Sequence, residues 1–144
     1  MKMNLSTSNF EINGQVNSDG TSLVMSVPEN GHVTTATLPM TEAVLAKHLP
    51  SIFLCQCFNE ENKNFRNECK NTELGHLFEH IMLEHLCMEK LDHGHADATF
   101  EGKTSWMTDS KSVFYIELNA DLEDVEIIKK AFKKSVGLFR KILG

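Results

Sequence analysis

The sequence has few of the features that mark an exported or membrane-bound protein. No run of apolar residues approaches the roughly 20 needed to cross a bilayer, and the N-terminal segment MKMNLSTSNFEI lacks the apolar core of a signal peptide. The sequence also contains no internal repeat, no low-complexity tract and no linker long enough to separate two domains. We therefore expect a single cytoplasmic domain over residues 1–144, with no membrane segment.

Arginine is almost absent, and positive charge is in the minority. Arg66 and Arg140 are the only two arginines, so we do not expect a site that clamps an anionic substrate between guanidinium groups. The net charge of −6 argues against nucleic acid as a partner. Basic residues do cluster near the C-terminus, where we interpret them as the solvated face of a helix. They are Lys129, Lys130, Lys133, Lys134, Arg140 and Lys141.

Cysteine is present, but no export signal accompanies it, which indicates reduced thiols rather than disulfides. Cys55 and Cys57 are separated by a single residue, closer than the pairs that build zinc ribbons. We expect partly buried thiols, with a structural zinc as the open alternative. The four cysteines are Cys55, Cys57, Cys69 and Cys87.

Apolar periodicity predicts an α+β domain. The order β-β-β-α-α-β-β-α indicates a largely antiparallel sheet with helices packed on one face. Asn17–Gly20 has the composition of a hairpin turn, and residues 51–71 form an irregular polar connection. The predicted elements are strands around 10–12, 23–27 and 32–38, helices over 41–48 and about 73–90, strands near 96–101 and 112–119, and a final helix after Asp121.

The segment HLFEH, residues 76–80, lies on the long predicted helix. On a helical wheel His80 lies about 40° from His76 on one side and Glu79 about 60° on the other, so all three project from one face. Two histidines at i and i+4 can chelate one zinc ion, and the glutamate between them can accept a proton from a zinc-bound water. This is the H-x-x-E-H pattern. The alternative is a partly exposed helix that carries Glu–His pairs for solubility.

Two further polar residues of the same helix fall elsewhere on the wheel. His85 lies opposite His76, within the apolar face, which predicts a hydrogen-bonded core histidine rather than a ligand. Glu84 lies one turn below His80, where it could orient a ligand imidazole through a hydrogen bond.

A catalytic zinc needs a third protein ligand, and the best candidate is Glu117. It lies in the strand pattern VFYIEL, where a carboxylate is costly unless it is paired or bound to a metal. The alternative for Glu117 is a solvated face of the sheet. Histidines from the segment DHGHAD and cysteine thiolates are rival ligands. These rivals are His93, His95, Cys57 and Cys69.

The predicted connection between the last two strands reads GKTSW. We expect Lys103, Thr104 and Ser105 to line a substrate pocket, with Trp106 as its apolar wall. The alternative is an ordinary turn between strands.

Several segments together resemble the N-terminal domain of cyanophycin synthetases. They are LAKHLPSI, TELGHLFEHIMLEHL, FEGKTSW and VFYIEL, and the resemblance covers about residues 40–143. It implies a fold similar to the inverted zincins and, as in some members, a zinc metallopeptidase-like site that cuts a β-aspartyl-arginine polymer. On this resemblance His76 and His80 would be zinc ligands, Glu79 the general base and Glu117 the third ligand.

Two functions stay open at this point. The first is a hydrolase of peptide or isopeptide bonds that depends on zinc or another divalent transition metal, with β-aspartyl peptides as the substrates that the resemblance implies. The second is a non-catalytic binding or assembly module with a structural or vestigial metal site. Because the ligase domains of that family do not follow Gly144, we expect no polymer synthesis from these residues. Nothing in the sequence predicts the oligomeric state.

Overall fold

The computed structural model describes residues 1–28, 31–54, 64–95, 99–107 and 110–144. Within these ranges the chain forms one five-stranded sheet and four α-helices. The strands are β1 (Lys2–Ser6), β2 (Glu11–Asn17), β3 (Gly20–Ser26), β4 (Gly102–Met107) and β5 (Ser110–Leu118), and the helices are α1 (Thr41–His48), α2 (Phe65–Glu68), α3 (Leu74–Asp92) and α4 (Val125–Leu143).

The sheet is antiparallel throughout, in the order β1-β2-β3-β5-β4, so the α+β class is confirmed. Alternate residues of β5, such as Ile116 and Leu118, are buried, and α3 packs against β5 as well as against α4. Aromatic rings fill the space between the helices and the sheet, with Phe78 and Phe10 both meeting Phe139 edge to face. No helix in the described ranges is long and apolar enough to span a membrane.

The predicted hairpin turn at Asn17–Gly20 is confirmed. The Asn17 side-chain oxygen accepts hydrogen bonds from the backbone amides of Asp19 and Gly20, at 2.8 and 3.1 Å. Gly20 has a φ of 147°, which a residue with a side chain rarely adopts.

Two predicted strands are wrong. Residues 32–38, predicted as a strand, contain a 3-10 turn (Thr35–Thr37) and one isolated bridge. The strand β1 at the N-terminus was not predicted. In the second half, β4 occupies the segment GKTSWM that was predicted as a connection. Residues 99–101 of the strand predicted near 96–101 are not in a strand, and residues 96–98 lie outside the described residues. Glycine, lysine and serine have low strand propensity, and it is pairing with β5 that makes this segment a strand.

Helix α1 has the bounds that were predicted for it. Helix α3 begins and ends within two residues of its own predicted bounds, and α2 was not predicted. Asn64 caps α2 by accepting a hydrogen bond from the amide of Asn67 at 3.0 Å. Asp121 caps a 3-10 turn (Leu122–Asp124) that leads into α4. The actual order in the described ranges is therefore β-β-β-α-α-α-β-β-α.

A glycine allows α3 to approach the sheet closely. A Cβ atom added to Gly75 would lie 2.4 Å from Cγ of Phe114 on β5, well inside van der Waals contact. The residue after Gly75 is His76, so this approach brings the start of the H-x-x-E-H segment beside β4 and β5.

Candidate active site

The imidazoles of His76 and His80 converge on adjacent turns of α3. Their Nε2 atoms lie 3.0 Å apart and their rings meet edge to face. His80 is 6% exposed, with the ring of Phe65 packed against it at 4.4 Å between centroids. Two nitrogens on one tetrahedral zinc, each about 2.05 Å from the ion, would be about 3.3 Å apart. The observed pair is close to that spacing, so it fits two ligands of a single ion.

Burial keeps both imidazoles neutral at ordinary pH. Burial, reinforced by the nearby His76, lowers the pKa of His80 to about 3. It also lowers the pKa of His76, although the Glu68 carboxylate opposes this shift. Neutral imidazole is the form that binds metals, so the environment of the pair suits ligation.

Glu79 points toward the sheet from between the two histidines. Its side chain is buried, and Oε1 accepts a hydrogen bond from the Thr104 hydroxyl of β4 at 2.7 Å. Burial raises the pKa of Glu79, and the hydrogen bond from Thr104 partly offsets that effect. A carboxylate with a raised pKa accepts a proton more readily, which is the property required of a general base.

An open pocket of about 430 Å³ lies next to these groups. Its walls come from β4, from the start of α3 and from the connection between α2 and α3. The lining residues are Thr34, Glu68, Asn71, Thr72, Glu73, His76 and Thr104.

The other nitrogen of His76 has polar partners that the sequence did not predict. Nδ1 lies 2.8 Å from the Thr72 hydroxyl, which in turn donates to Oε1 of Glu68 at 3.1 Å. The same carboxylate oxygen is 3.7 Å from Nδ1. Glu68, Thr72 and His76 are spaced four residues apart, which could have indicated that their side chains lie close together. Because α2 was not predicted, the sequence analysis did not place Glu68 near the histidine.

The structure does not bring Glu117 to the histidines. Its side chain is 61% exposed on the opposite face of the sheet, where Oε2 lies 3.3 Å from Nζ of Lys103. Ile116 and Leu118 alternate with it and face the helices. The burial inferred for the Glu117 carboxylate is therefore wrong, because that face of the sheet is solvated.

The four residues predicted to line a substrate pocket are divided by strand alternation. Thr104 faces α3 and lines the pocket with His76, and its contact with a substrate stays a prediction. Lys103 and Ser105 are exposed on the far face, so neither lies in the pocket. Trp106 pairs in register with Phe114 near the end of β4 and is 44% exposed.

The rival histidine ligands lie at the other end of α3. Nδ1 of His93 is 2.7 Å from the Glu89 carbonyl oxygen at the C-terminus of the helix. Seventeen residues separate it from His76, which is about 25 Å along a helix axis, and His95 lies still further along the chain. Neither histidine can share an ion with His76.

The cysteines in the described ranges are reduced. Cys69 is buried in the core and donates to the Arg66 carbonyl oxygen at 3.3 Å. Burial, the largest cause, raises the pKa of its thiol to about 11, so in the metal-free protein Cys69 carries its proton at neutral pH. Cys57 and Cys55 lie outside the described residues.

The sequence analysis also considered His85 and Glu84 on α3, and the structure shows the partners of both. His85 is a core histidine as predicted, with Nδ1 2.8 Å from the buried Ser135 hydroxyl. Oε1 of Glu84 accepts a hydrogen bond from Ser51 at 2.7 Å. That Glu84 orients a ligand imidazole stays a prediction.

The donor set for a metal is therefore partial in the part of the chain that the structure describes. His76 and His80 are a matched pair, yet within those ranges no group of three or more His, Cys, Asp or Glu side chains is arranged to hold an ion.

Fold and site together define an α+β domain in which one helix carries two converging histidines and a buried glutamate, and one of these histidines, His76, lines a pocket beside an edge strand. The family model of the cyanophycin synthase-like N-terminal domain matches residues 22–143, and the chain belongs to that family. No curated protein matches the chain.

Proposed function

We propose that this chain is a metal-dependent hydrolase of peptide or isopeptide bonds, with zinc or another divalent transition metal held by His76 and His80. The observation that carries the proposal is the convergence of the two imidazoles beside the buried carboxylate of Glu79. The family description points to cyanophycin, and so the proposed substrates are β-aspartyl peptides in the cytoplasm.

When bound, zinc would lower the pKa of a water molecule and polarise the carbonyl of the scissile amide. Glu79 would serve as the general base that takes up a proton from the attacking water and passes it to the leaving amine. Thr104 keeps the carboxylate of Glu79 in place through its hydrogen bond to Oε1. The pocket beside His76 admits the substrate from solvent.

The test pairs Glu79→Gln with Glu117→Gln, the same substitution on the far face of the sheet. Purified proteins are reconstituted with zinc, analysed for bound metal and incubated with β-aspartyl-arginine substrates. Glu79→Gln should retain the metal and lose hydrolysis by about 10²–10⁴-fold, the usual contribution of a general base. Glu117→Gln should behave as the parent protein. A Glu79→Gln protein that keeps its activity, or a parent protein that binds no metal, contradicts the proposal.

A second candidate function is a non-catalytic module that binds the polymer or a partner subunit. What favours it is that the described residues bring two donors together rather than three, with Glu117 turned away. For this candidate, binding of an aspartyl peptide should persist in the presence of a chelator. Product release that a chelator abolishes would contradict it.

A further inference from the structure

We propose that Thr72 and Glu68 fix the tautomer of His76, holding the ring proton on Nδ1 and leaving the lone pair of Nε2 directed at His80. These two are positioning residues, since they contact the imidazole and not the reacting atoms. The effect of Thr72 and Glu68 on metal binding rests on the proposed function, whereas the assignment of the His76 tautomer is independent of that function.

The direction of the hydrogen bonds follows from counting protons. An ionised carboxylate is only an acceptor, and a threonine hydroxyl has a single proton to donate. The Thr72 hydroxyl lies 3.1 Å from Oε1 of Glu68 and 2.8 Å from Nδ1 of His76. If the hydroxyl proton pointed at Nδ1, two oxygen lone pairs would face each other across the 3.1 Å contact. Both contacts are hydrogen bonds only if Nδ1–H donates to Thr72 and Thr72 donates to Glu68.

Burial and charge strengthen this arrangement. Thr72 is buried, and the side chains of Glu68 and His76 are only 13% and 24% exposed where they line the pocket. The negative carboxylate, 3.7 Å from Nδ1, favours a proton on that nitrogen rather than on Nε2.

The consequence appears on the other side of the ring. With its proton on Nδ1, His76 presents a bare Nε2 that accepts a hydrogen bond from Nε2–H of His80 across 3.0 Å. The same lone pair is the one that a metal ion would use. His76 therefore needs no change of tautomer to bind a metal through Nε2.

The test compares Thr72→Val, which removes the hydroxyl, with Thr72→Ser, which keeps it. Thr34→Val is the control, because Thr34 lines the same pocket while its hydroxyl accepts from the Ala36 amide. The first readout is the pair of ¹⁵N shifts of the His76 ring in metal-free protein. We expect a protonated Nδ1 in the parent, Thr72→Ser and Thr34→Val proteins, and an appreciable population protonated on Nε2 in Thr72→Val.

The second readout is affinity for cobalt(II) and zinc by titration. Thr72→Val should bind about 10–100-fold more weakly, as is usual when the partner of a ligand histidine is removed, and the other two variants should bind as the parent does. If Thr72→Val does not fold, Glu68→Gln takes its place. The amide of glutamine can donate a hydrogen bond to the Thr72 hydroxyl, so the hydroxyl is free to donate to Nδ1 of His76 instead. Glu68→Gln should then populate the Nε2–H tautomer.

A parent protein whose His76 is protonated on Nε2 overturns the proposal, as does a folded Thr72→Val protein with unchanged ¹⁵N shifts. A parent protein that binds no metal but shows the Nδ1–H tautomer contradicts the proposed hydrolase and leaves the assignment of Thr72 and Glu68 supported. The two failures are therefore distinguishable.

Discussion

His80 and His85 belong to the same helix and are both buried, but their neighbours give them different chemistry. His80 faces the imidazole of His76, which lines the pocket, whereas His85 faces the hydroxyl of Ser135 inside the core. Burial lowers the pKa of both. Burial alone therefore does not distinguish a candidate metal ligand from a core histidine. The hydrogen-bond partners of the ring nitrogens distinguish them.

His85 predicts a pH dependence of stability. Burial, reinforced by Lys134, lowers its pKa from 6.5 to about 4, so between these values the unfolded chain binds a proton that the folded protein does not. The contribution of a neutral His85 is complete above pH 6.5 and is lost as the pH falls toward 4, by up to about 3 kcal/mol.

The measurement is the free energy of unfolding by urea at several pH values. The reference is the double variant His85→Leu/Ser135→Ala, which removes both partners and leaves no polar group alone in the core. The parent protein should lose more stability than the reference between pH 6.5 and pH 4. Parallel stability curves for the two proteins would contradict this prediction.

At the scale of elements, the site depends on how closely α3 lies on the sheet. Gly75 is in contact with the ring of Phe114, and Thr104 reaches Glu79 from β4. A wider separation between α3 and β4 would break the hydrogen bond that holds Glu79. The glycine therefore contributes to the site although it carries no functional group.

Replacing Gly75 with alanine should destabilise the protein. The new methyl would lie 2.4 Å from the Phe114 ring, and overpacking of this kind costs about 1–3 kcal/mol. Gly137→Ala is the matched control, because this glycine of α4 has nothing within 4 Å of an added Cβ and alanine favours a helix by about 0.5–1 kcal/mol. Thermal unfolding should show a lower Tm for Gly75→Ala and a higher one for Gly137→Ala. Equal changes in both would contradict the close approach of α3.

At the scale of the whole molecule, the sheet separates two sets of polar residues. The helix-covered face carries the pocket with Thr104, and the other face carries the exposed pair of Lys103 and Glu117. Lys103 directly precedes Thr104 in the sequence and yet lies on the opposite side of the sheet from it.

Exchanging the exposed pair, Lys103→Glu with Glu117→Lys, should have little effect. Exposed ion pairs contribute less than about 1 kcal/mol, so the free energy of unfolding should stay within that range. Metal affinity should also be unchanged, because neither side chain lies on the face of the sheet that carries His76 and His80. The variant is compared with the parent by urea unfolding and by zinc titration. A large loss of zinc affinity would return Glu117 to the ligand set.

Features that depend on local spacing could be predicted from the sequence. The i, i+4 pair of His76 and His80, the core position of His85, the bounds of α1 and the hairpin at Asn17–Gly20 all follow from periodicity or turn chemistry within a few residues. Such features need no knowledge of distant partners, because a helix or a tight turn fixes the relative positions of its own residues.

Which face of the sheet the helices cover, and which distant segments of the chain come into contact, could not be predicted from local spacing because both depend on tertiary packing. Glu117 sits in an apolar strand pattern, but the helices cover one face only and leave its side exposed. β4 is a strand because β5 pairs with it, and Glu68 reaches His76 because α2 packs beside α3. Strand alternation is symmetric between the two faces of a sheet, so a sequence pattern identifies the alternating sets while the packing of distant elements selects the buried one.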